Sequence, residues 1–456
     1  MKRTVKSMRR ASAVIVSALA SSGAVAAAPA IFTAILDVPG GTVYTQGYAL
    51  TPFASVVVGR TNTTSGFEAF RWTAADGTVA IGDLDGGATN AQANAISADG
   101  SVIAGMGTSA NGSEAFRWTA SEGLVALGDL DGGTFSSTAL AISADGLVIV
   151  GRGNGVNGNE AFRWTQAAGM VGLGDLEGGS FSSAAIATNA DGSVVVGQAA
   201  SASGTEAFRW TQATGMVGLG DLDGGLYQSL ARAVSPDGRV VVGLCTTNAG
   251  SEAFRWTQAT GMVALGDVPG GSVFANALGV NHDGSVIVGQ TSTALGFEAF
   301  IWTSATGMQS LGSYLTQRGV DLTDRRLVAA TAISPNGRFI TGWSSRTGVS
   351  NEAFVVTIGV GCSPADIADD QGTPLIFSAP TAPNNGVNEG DYNAFFAADG
   401  FFAQAGLGNG AIGASCDIAD DQGTALPPFG NPTGANNGVN EGDYNLFFNS
   451  FFIPCV

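Results

Sequence analysis

The sequence predicts an all-β fold, a seven-bladed β-propeller of 46-residue, four-stranded repeats whose amino-terminal and carboxy-terminal strands close the ring, followed by a small α-helical module. Three marks keep one beat. Tryptophan stands at 72, 118, 164, 210, 256 and 302. A glycine closing a Val/Ile-rich run stands at 59, 105, 151, 197, 243 and 289, and an aspartate at 37, 83, 129, 175, 221 and 267. Each series advances by 46 residues without an insertion, which defines a repeat architecture.

One unit, residues 136–176, shows the strands in order. The segment 137–143 ends at Ala144-Asp145-Gly146, a hairpin signal in which Gly takes positive φ and Asp closes an Asx-turn. The β-branched run Leu147-Val148-Ile149-Val150-Gly151 has the character of a strand buried on both faces. In Glu160-Ala161-Phe162-Arg163-Trp164-Thr165, alternation puts Phe and Trp on one face, Ala and Arg on the other. The fourth segment, 169–176, runs into the turn Glu177-Gly178-Gly179.

Four strands in 46 residues suit a propeller blade, with a two-coil parallel β-helix as the rival. The ends of the series favour the propeller. The chain enters with a fourth-type strand at 31–38 and leaves with a third-type strand at 352–357. That offset lets a ring seal its exposed edges, whereas a solenoid has no use for it. Seven blades are expected over 31–359. The seventh unit departs from the pattern: Val356 stands where Trp is due, and extra residues at 313–326 bring Arg318, Arg325 and Arg326. These residues form either a binding loop or a closure loop or short helix sealing the ring.

Residues 1–26 read as a signal peptide, with Lys2, Arg3, Lys6, Arg9 and Arg10 before an apolar run and Ala24-Val25-Ala26 as the cleavage site. Without them the chain has no Lys and 14 Arg against 37 acids, a net charge near −23. Such a surface repels nucleic acid and anionic lipid. No other stretch is long and apolar enough to span a membrane. The expected location is secreted, extracellular or at the cell surface. Cys245, Cys362, Cys416 and Cys455 leave the pairing open, with Cys245 expected as a free or buried thiol.

The repeated Ala-x-x-Ile-Ser-x-Asp-Gly-x-Val-Ile-Val-Gly, Glu-Ala-Phe-Arg-Trp-Thr and Gly-Met-Val-x-Leu-Gly-Asp-Leu-x-Gly-Gly resemble the extracellular HAF-repeat family of bacterial secreted proteins, over residues 31–358. The resemblance implies a repeat scaffold and brings no catalytic residues.

The periodic acids are the only candidates for chemistry in the ring. They are the aspartates already given and glutamates at 68, 114, 160, 206, 252, 298 and 352. A residue present in every blade is best explained by what every blade needs: Asp caps the Gly-Gly turn, and Glu takes backbone N–H groups or pairs with an Arg such as Arg117 on a neighbouring blade. The chain's one histidine, His282, lies in a turn, which removes His-based triads, His-rich zinc sites and haem ligand pairs. Two-carboxylate glycoside hydrolysis is left open. The expectation is a protein that is not an enzyme.

Residues 360–456 carry a different duplication. Asp366-Ile367-Ala368-Asp369-Asp370 returns as Asp417-Ile418-Ala419-Asp420-Asp421, and Asn384-Asn385-Gly386-Val387 through Asp391 returns as Asn436-Asn437-Gly438-Val439 through Asp443. An acidic loop before a short helix that supplies the last carboxylate is the plan of half an EF-hand. The two copies resemble a dockerin, which implies two calcium ions. The resemblance puts Asp366 and Asp417 at the first ligand position, Asp391 and Asp443 at the twelfth, and Asp370 or Asn384, with Asp421 or Asn436, at the fifth. Ala368 and Ala419 depart from it at the third position, and Pro-rich inserts at 373–383 and 424–435 interrupt the loops. An Asx-turn-rich linker without metal is the alternative.

The leading functional reading is therefore a secreted, non-enzymatic recognition or scaffold surface docked through its tail. The expected partner is a cell-surface protein or polysaccharide, and the dockerin resemblance implies a cohesin-like one. A polysaccharide-active enzyme of a surface complex and a structural surface-layer or matrix component are the alternatives.

Overall fold

The alternation in Glu160-Ala161-Phe162-Arg163-Trp164-Thr165 gives one strand two different faces, and both are buried. In the computed structural model, which describes residues 30–358 except 39, 41 and 42, Phe162 and Trp164 pack on Ala139 of their own blade and backward on Ala104 and Ala115 of the preceding one. Ala161 and Val150 pack forward in the cluster of Phe208 and Trp210. Large meets small at each boundary, as close packing requires. The equivalent Phe is fully buried in all seven repeats, at 70, 116, 162, 208, 254, 300 and 354. Each such burial stabilises by about 1.5–3 kcal/mol.

Seven four-stranded antiparallel sheets result. The first runs outward from Thr45–Leu50 through Val57–Asn62 and Phe67–Thr73 to Gly77–Gly82, and the next five keep that order. The innermost strands contact one another in succession, and Arg325–Ile333 of the seventh blade returns to Thr45–Leu50 of the first. The outer strand of the seventh blade is Ile31–Ile35, with Ile31 opposite Thr357 and Ile35 opposite Ala353. The first and last strands of the ring thus share one sheet, as the offset of the repeats predicts.

Two strand boundaries differ from the sequence reading. The second strand of the third blade is Val148–Gly155 and meets Gly158–Thr165 across the two-residue tip Val156-Asn157. The Gly-rich run 152–155 has little β-propensity of its own and is held by pairing. The fourth strand ends at Gly172, not 176. Leu173 still donates to the Ala161 carbonyl at 2.8 Å, but Gly174 adopts φ 79°, which turns the chain away.

The glycine closing each Val/Ile run has a steric cause. The innermost strand of every blade slips by one residue, in the third blade between Ala139 and Ala141. The slip drives the Thr138 carbonyl onto Gly151, where a methyl would overlap it and lie 2.9 Å from the Phe162 ring.

Successive blades are also tied at the turns after their innermost strands. Ala98 N–H donates to Ala144 O at 2.8 Å, Ala144 to Ala190 at 2.8 Å, Ala190 to Pro236 at 3.0 Å and His282 to Pro335 at 2.9 Å. Pro52, Pro236 and Pro335 occupy the same turn position and have no N–H to give. His282 is therefore part of this ring of turns.

Candidate ligand cleft at the crossing into the seventh blade

The periodic acids are engaged with backbone, in a wider way than turn capping. Asp37, Asp83, Asp129, Asp175 and Asp221 each accept the N–H seven residues on, at 2.6–3.0 Å. Their reach covers the whole crossing from one blade's outer strand to the next blade's inner strand. The other oxygen of Asp83 takes Thr108 N–H at 2.9 Å, and that of Asp129 takes Asn154 N–H at 3.1 Å, both on the next blade. Asp267 instead takes the Thr291 hydroxyl at 2.8 Å. Burial raises the Asp37 carboxyl above its ordinary range, against the opposing hydrogen bonds of Thr45 and Tyr44.

The glutamates divide. Glu114, Glu160 and Glu206 accept the N–H of the glycine fourteen residues on, at 2.9–3.2 Å. Glu68 and Glu252 accept from Thr63 and Thr247 at 2.7 Å. Buried Glu352 holds Arg325 at 3.0 Å and Arg346 at 3.3 Å. The pairing expected of Arg117 with a neighbouring blade is not what forms: Arg117 takes Glu122 of its own blade at 2.8 Å. Arg163 and Arg255 do cross, to the turn carbonyls Gly192 and Gly284.

Glu298 is the exception. Its glycine fourteen residues on, Gly312, belongs to the helix Leu311–Thr316, and among the described residues Glu298 accepts no hydrogen bond. The insertion in the seventh repeat places that glycine in the helix. Where the 46-residue beat calls for an Asp after Asp267, Ser313 stands, and the chain forms that helix in place of an Asp-capped crossing. Ser310 caps it by accepting Ser313 N–H, and Leu311 and Leu315 pin it to the core with Leu327 and Val320. A short helix is one of the two forms expected of the insertion, and it also builds the wall of a cleft.

The cleft has a volume of about 550 Å³. Its floor and rim include Glu298, Arg325, Arg326 and Leu327; Ser310, Ser313, Thr316 and Gln317 line the helix side, with Leu295 and Leu322 as apolar walls. Arg325 is neutralised by Glu352 and by Asp324 at 3.0 Å and lies over the Phe32 ring at 4.8 Å. Arg326 donates through Nη1 to the Leu295 carbonyl, and its buried Nε has no partner. The hydrogen bonds of the adjacent Arg325 guanidinium hold Asp324 below the ordinary carboxylate range. The sequence placed Arg325 and Arg326 in the insertion; it gave no sign that Glu298 is released from the role its equivalents play.

The predicted calcium ligands Asp366, Asp370, Asn384, Asp391, Asp417, Asp421, Asn436 and Asp443 lie outside the described residues, as do residues 1–26, expected as a signal peptide, and three of the cysteines. Among the described residues no three His, Cys, Asp or Glu side chains gather as a metal site, and no helix is long and apolar enough to cross a membrane. Cys245 is a buried free thiol beside the Met262 sulfur at 2.9 Å, its pKa pushed up by burial.

No family model matches the chain, and no curated protein does. Among solved structures it is similar to TolB from Acinetobacter baumannii, with 13% identity, TM-score 0.39 and coverage of 59% of this chain and 63% of that one. A prolyl endopeptidase structure matches with 9% identity, TM-score 0.45 and coverage of 70% and 51%. A structure of the mitotic checkpoint complex matches with 14% identity, TM-score 0.43 and coverage of 78% and 99%. This chain therefore spans under two thirds of the TolB chain and about half of the endopeptidase.

Proposed function

We propose that the protein is an exported, non-enzymatic recognition scaffold: a rigid seven-bladed ring that binds through the cleft at the crossing into its seventh blade and is attached through its carboxy-terminal repeats. The observation that carries this reading is the engagement of the periodic acids. Asp83 and Asp129 hold backbone N–H groups of their own crossing and of the next blade, and a carboxylate so held fixes the ring and is not free to move protons or attack substrate; Asp175 is held through one oxygen, the other being buried without a partner.

The cleft lining supports binding over turnover. Glycoside hydrolysis by carboxylates needs two acids about 5–10 Å apart on either side of the bond, and among the described residues Glu298 is the one carboxylate lining this cleft. The export leader and the calcium-binding, dockerin-like tail enter this reading from the sequence, and give the ring a means of attachment to a surface partner such as a cohesin-like protein.

Retention of the full chain on the cell-surface fraction of its source, with and without calcium, tests the reading. Calcium-dependent retention is expected. Free passage of the chain in both conditions would contradict attachment through the tail.

A further inference from the structure

We infer that the cleft is a site for a small organic carboxylate carrying a hydroxyl or ammonium group, the carboxylate meeting Arg326 and the donor group meeting Glu298. This rests on the recognition role proposed for the cleft and names the chemistry it recognises.

Two unsatisfied groups of opposite sense line one cavity. Arg326 lines the cleft and has no carboxylate partner among the described residues; its Nε–H is buried without an acceptor and out of a ligand's reach, so the guanidinium end is what the cleft presents. Glu298 accepts no hydrogen bond among the described residues, although its equivalents all do. Neither satisfies the other: no ion pair within 4.0 Å joins them, while the neighbouring Arg325 is already taken by Asp324 and Glu352. A ligand that presents an anionic group at one end and a donor at the other pairs both charges at once. An Arg fork suits a carboxylate, and an acid suits a hydroxyl or ammonium.

The surroundings favour an anion at the Arg end. In a chain with 37 acids and 19 basic residues, Arg318, Arg325, Arg326 and Arg346 gather within 29 consecutive positions at this blade. Arg325 and Arg346 are paired with Asp324 and Glu352, which leaves Arg326 as the cleft arginine without a carboxylate partner among the described residues. Ser313, Thr316 and Gln317 supply further polar contacts from the exposed face of the helix. A volume of about 550 Å³ lies within the range of small-molecule sites. Uronic acids and amino acids share the required chemistry, so the test uses both.

Calorimetric titration of the full chain with galacturonate, its trimer, L-serine and glycyl-serine, and with neutral galactose as control, tests the inference. At least one carboxylate series should bind and galactose should not; binding by the galacturonates alone identifies a sugar acid as the source, and by the serine compounds alone an amino acid. Arg326→Gln should weaken binding by about tenfold or more, the loss expected of a charged hydrogen bond, and Glu298→Gln should weaken it less. Because Arg326 also holds the Leu295 carbonyl, Thr316→Tyr, at an exposed position on the helix, serves as a second variant that fills the cleft and should also abolish binding. Failure of every carboxylate to bind, equal binding of galactose, or affinity unchanged in Thr316→Tyr overturns the inference. Turnover of a probe would instead overturn the non-enzymatic reading and leave the binding site standing.

Discussion

The hydroxyl of Thr45 accepts the backbone N–H of Ala353 at 3.3 Å, a contact between residues 308 positions apart. Ser137, Ser183 and Ser229 make the same contact with Ala115, Ala161 and Ala207 at 2.9–3.0 Å. The seam between the seventh blade and the first is therefore built like the boundaries between sequential blades. Thr45→Val should cost about 1–3 kcal/mol by leaving the Ala353 N–H unpaired, read as a lower denaturant midpoint. Deleting residues 30–38 should go further, exposing Val349–Thr357 as a free edge and promoting aggregation. A truncated chain that melts like the parent would contradict closure.

Asp129 joins two blades by accepting Ser136 and Asn154 N–H groups. Asp129→Ala should lose about 1–3 kcal/mol for each N–H stranded out of water. Asp129→Asn, which keeps one acceptor oxygen, should lose clearly less. Equal losses would mean that the carboxylate acts by charge alone and not as a double acceptor.

Acid should weaken the ring through its turns. The hydroxyl and N–H of Ser193 hold Asp191 below the ordinary carboxylate range. Burial raises Asp99 and Asp237, but hydrogen bonds from Ser97 and Ser101 to the first, and from Ser235 and Arg239 to the second, outweigh it and leave both lowered. A depressed folded pKa contributes stability that is present above the unfolded value, about 3.9, and is lost as pH falls through the folded one. Stability should hold steady from these groups above about pH 5 and decline below about pH 4. Asp191→Asn should shallow that decline, and an acid limb of unchanged slope would remove Asp191 from the account.

The tail yields a metal prediction from sequence. Titration of the full chain with calcium should show two bound ions, and Asp391→Ala and Asp443→Ala should each remove one. Calcium that binds only the folded form stabilises by about 2.7 kcal/mol at a hundred times its Kd. Identical heats in the parent and both variants would refute those ligands.

The architecture was legible because each repeated mark has a local steric or hydrogen-bonding cause. The buried Phe, the glycine under the displaced Thr138 carbonyl and the Asp across each crossing recur because every blade needs them, so period alone revealed blade number and closure. Strand ends were less legible. The run 152–155 pairs through its partner strand and not through propensity, and Gly174 ends its strand through a φ that composition does not specify. The cleft was half legible: the insertion and its arginines stand out against the 46-residue beat, but Glu298 looks like its six equivalents. Only the folded structure shows that its carboxylate has neither the glycine partner of Glu114, Glu160 and Glu206 nor the threonine partner of Glu68 and Glu252.

Release of reducing ends from a panel of soluble and insoluble polysaccharides, including polyuronates, tests whether the ring's acids hold the fold and leave recognition without turnover. The account predicts no release above the buffer rate by the purified full chain. Release that disappears in Glu298→Gln, with the melting temperature of that variant unchanged, would contradict it.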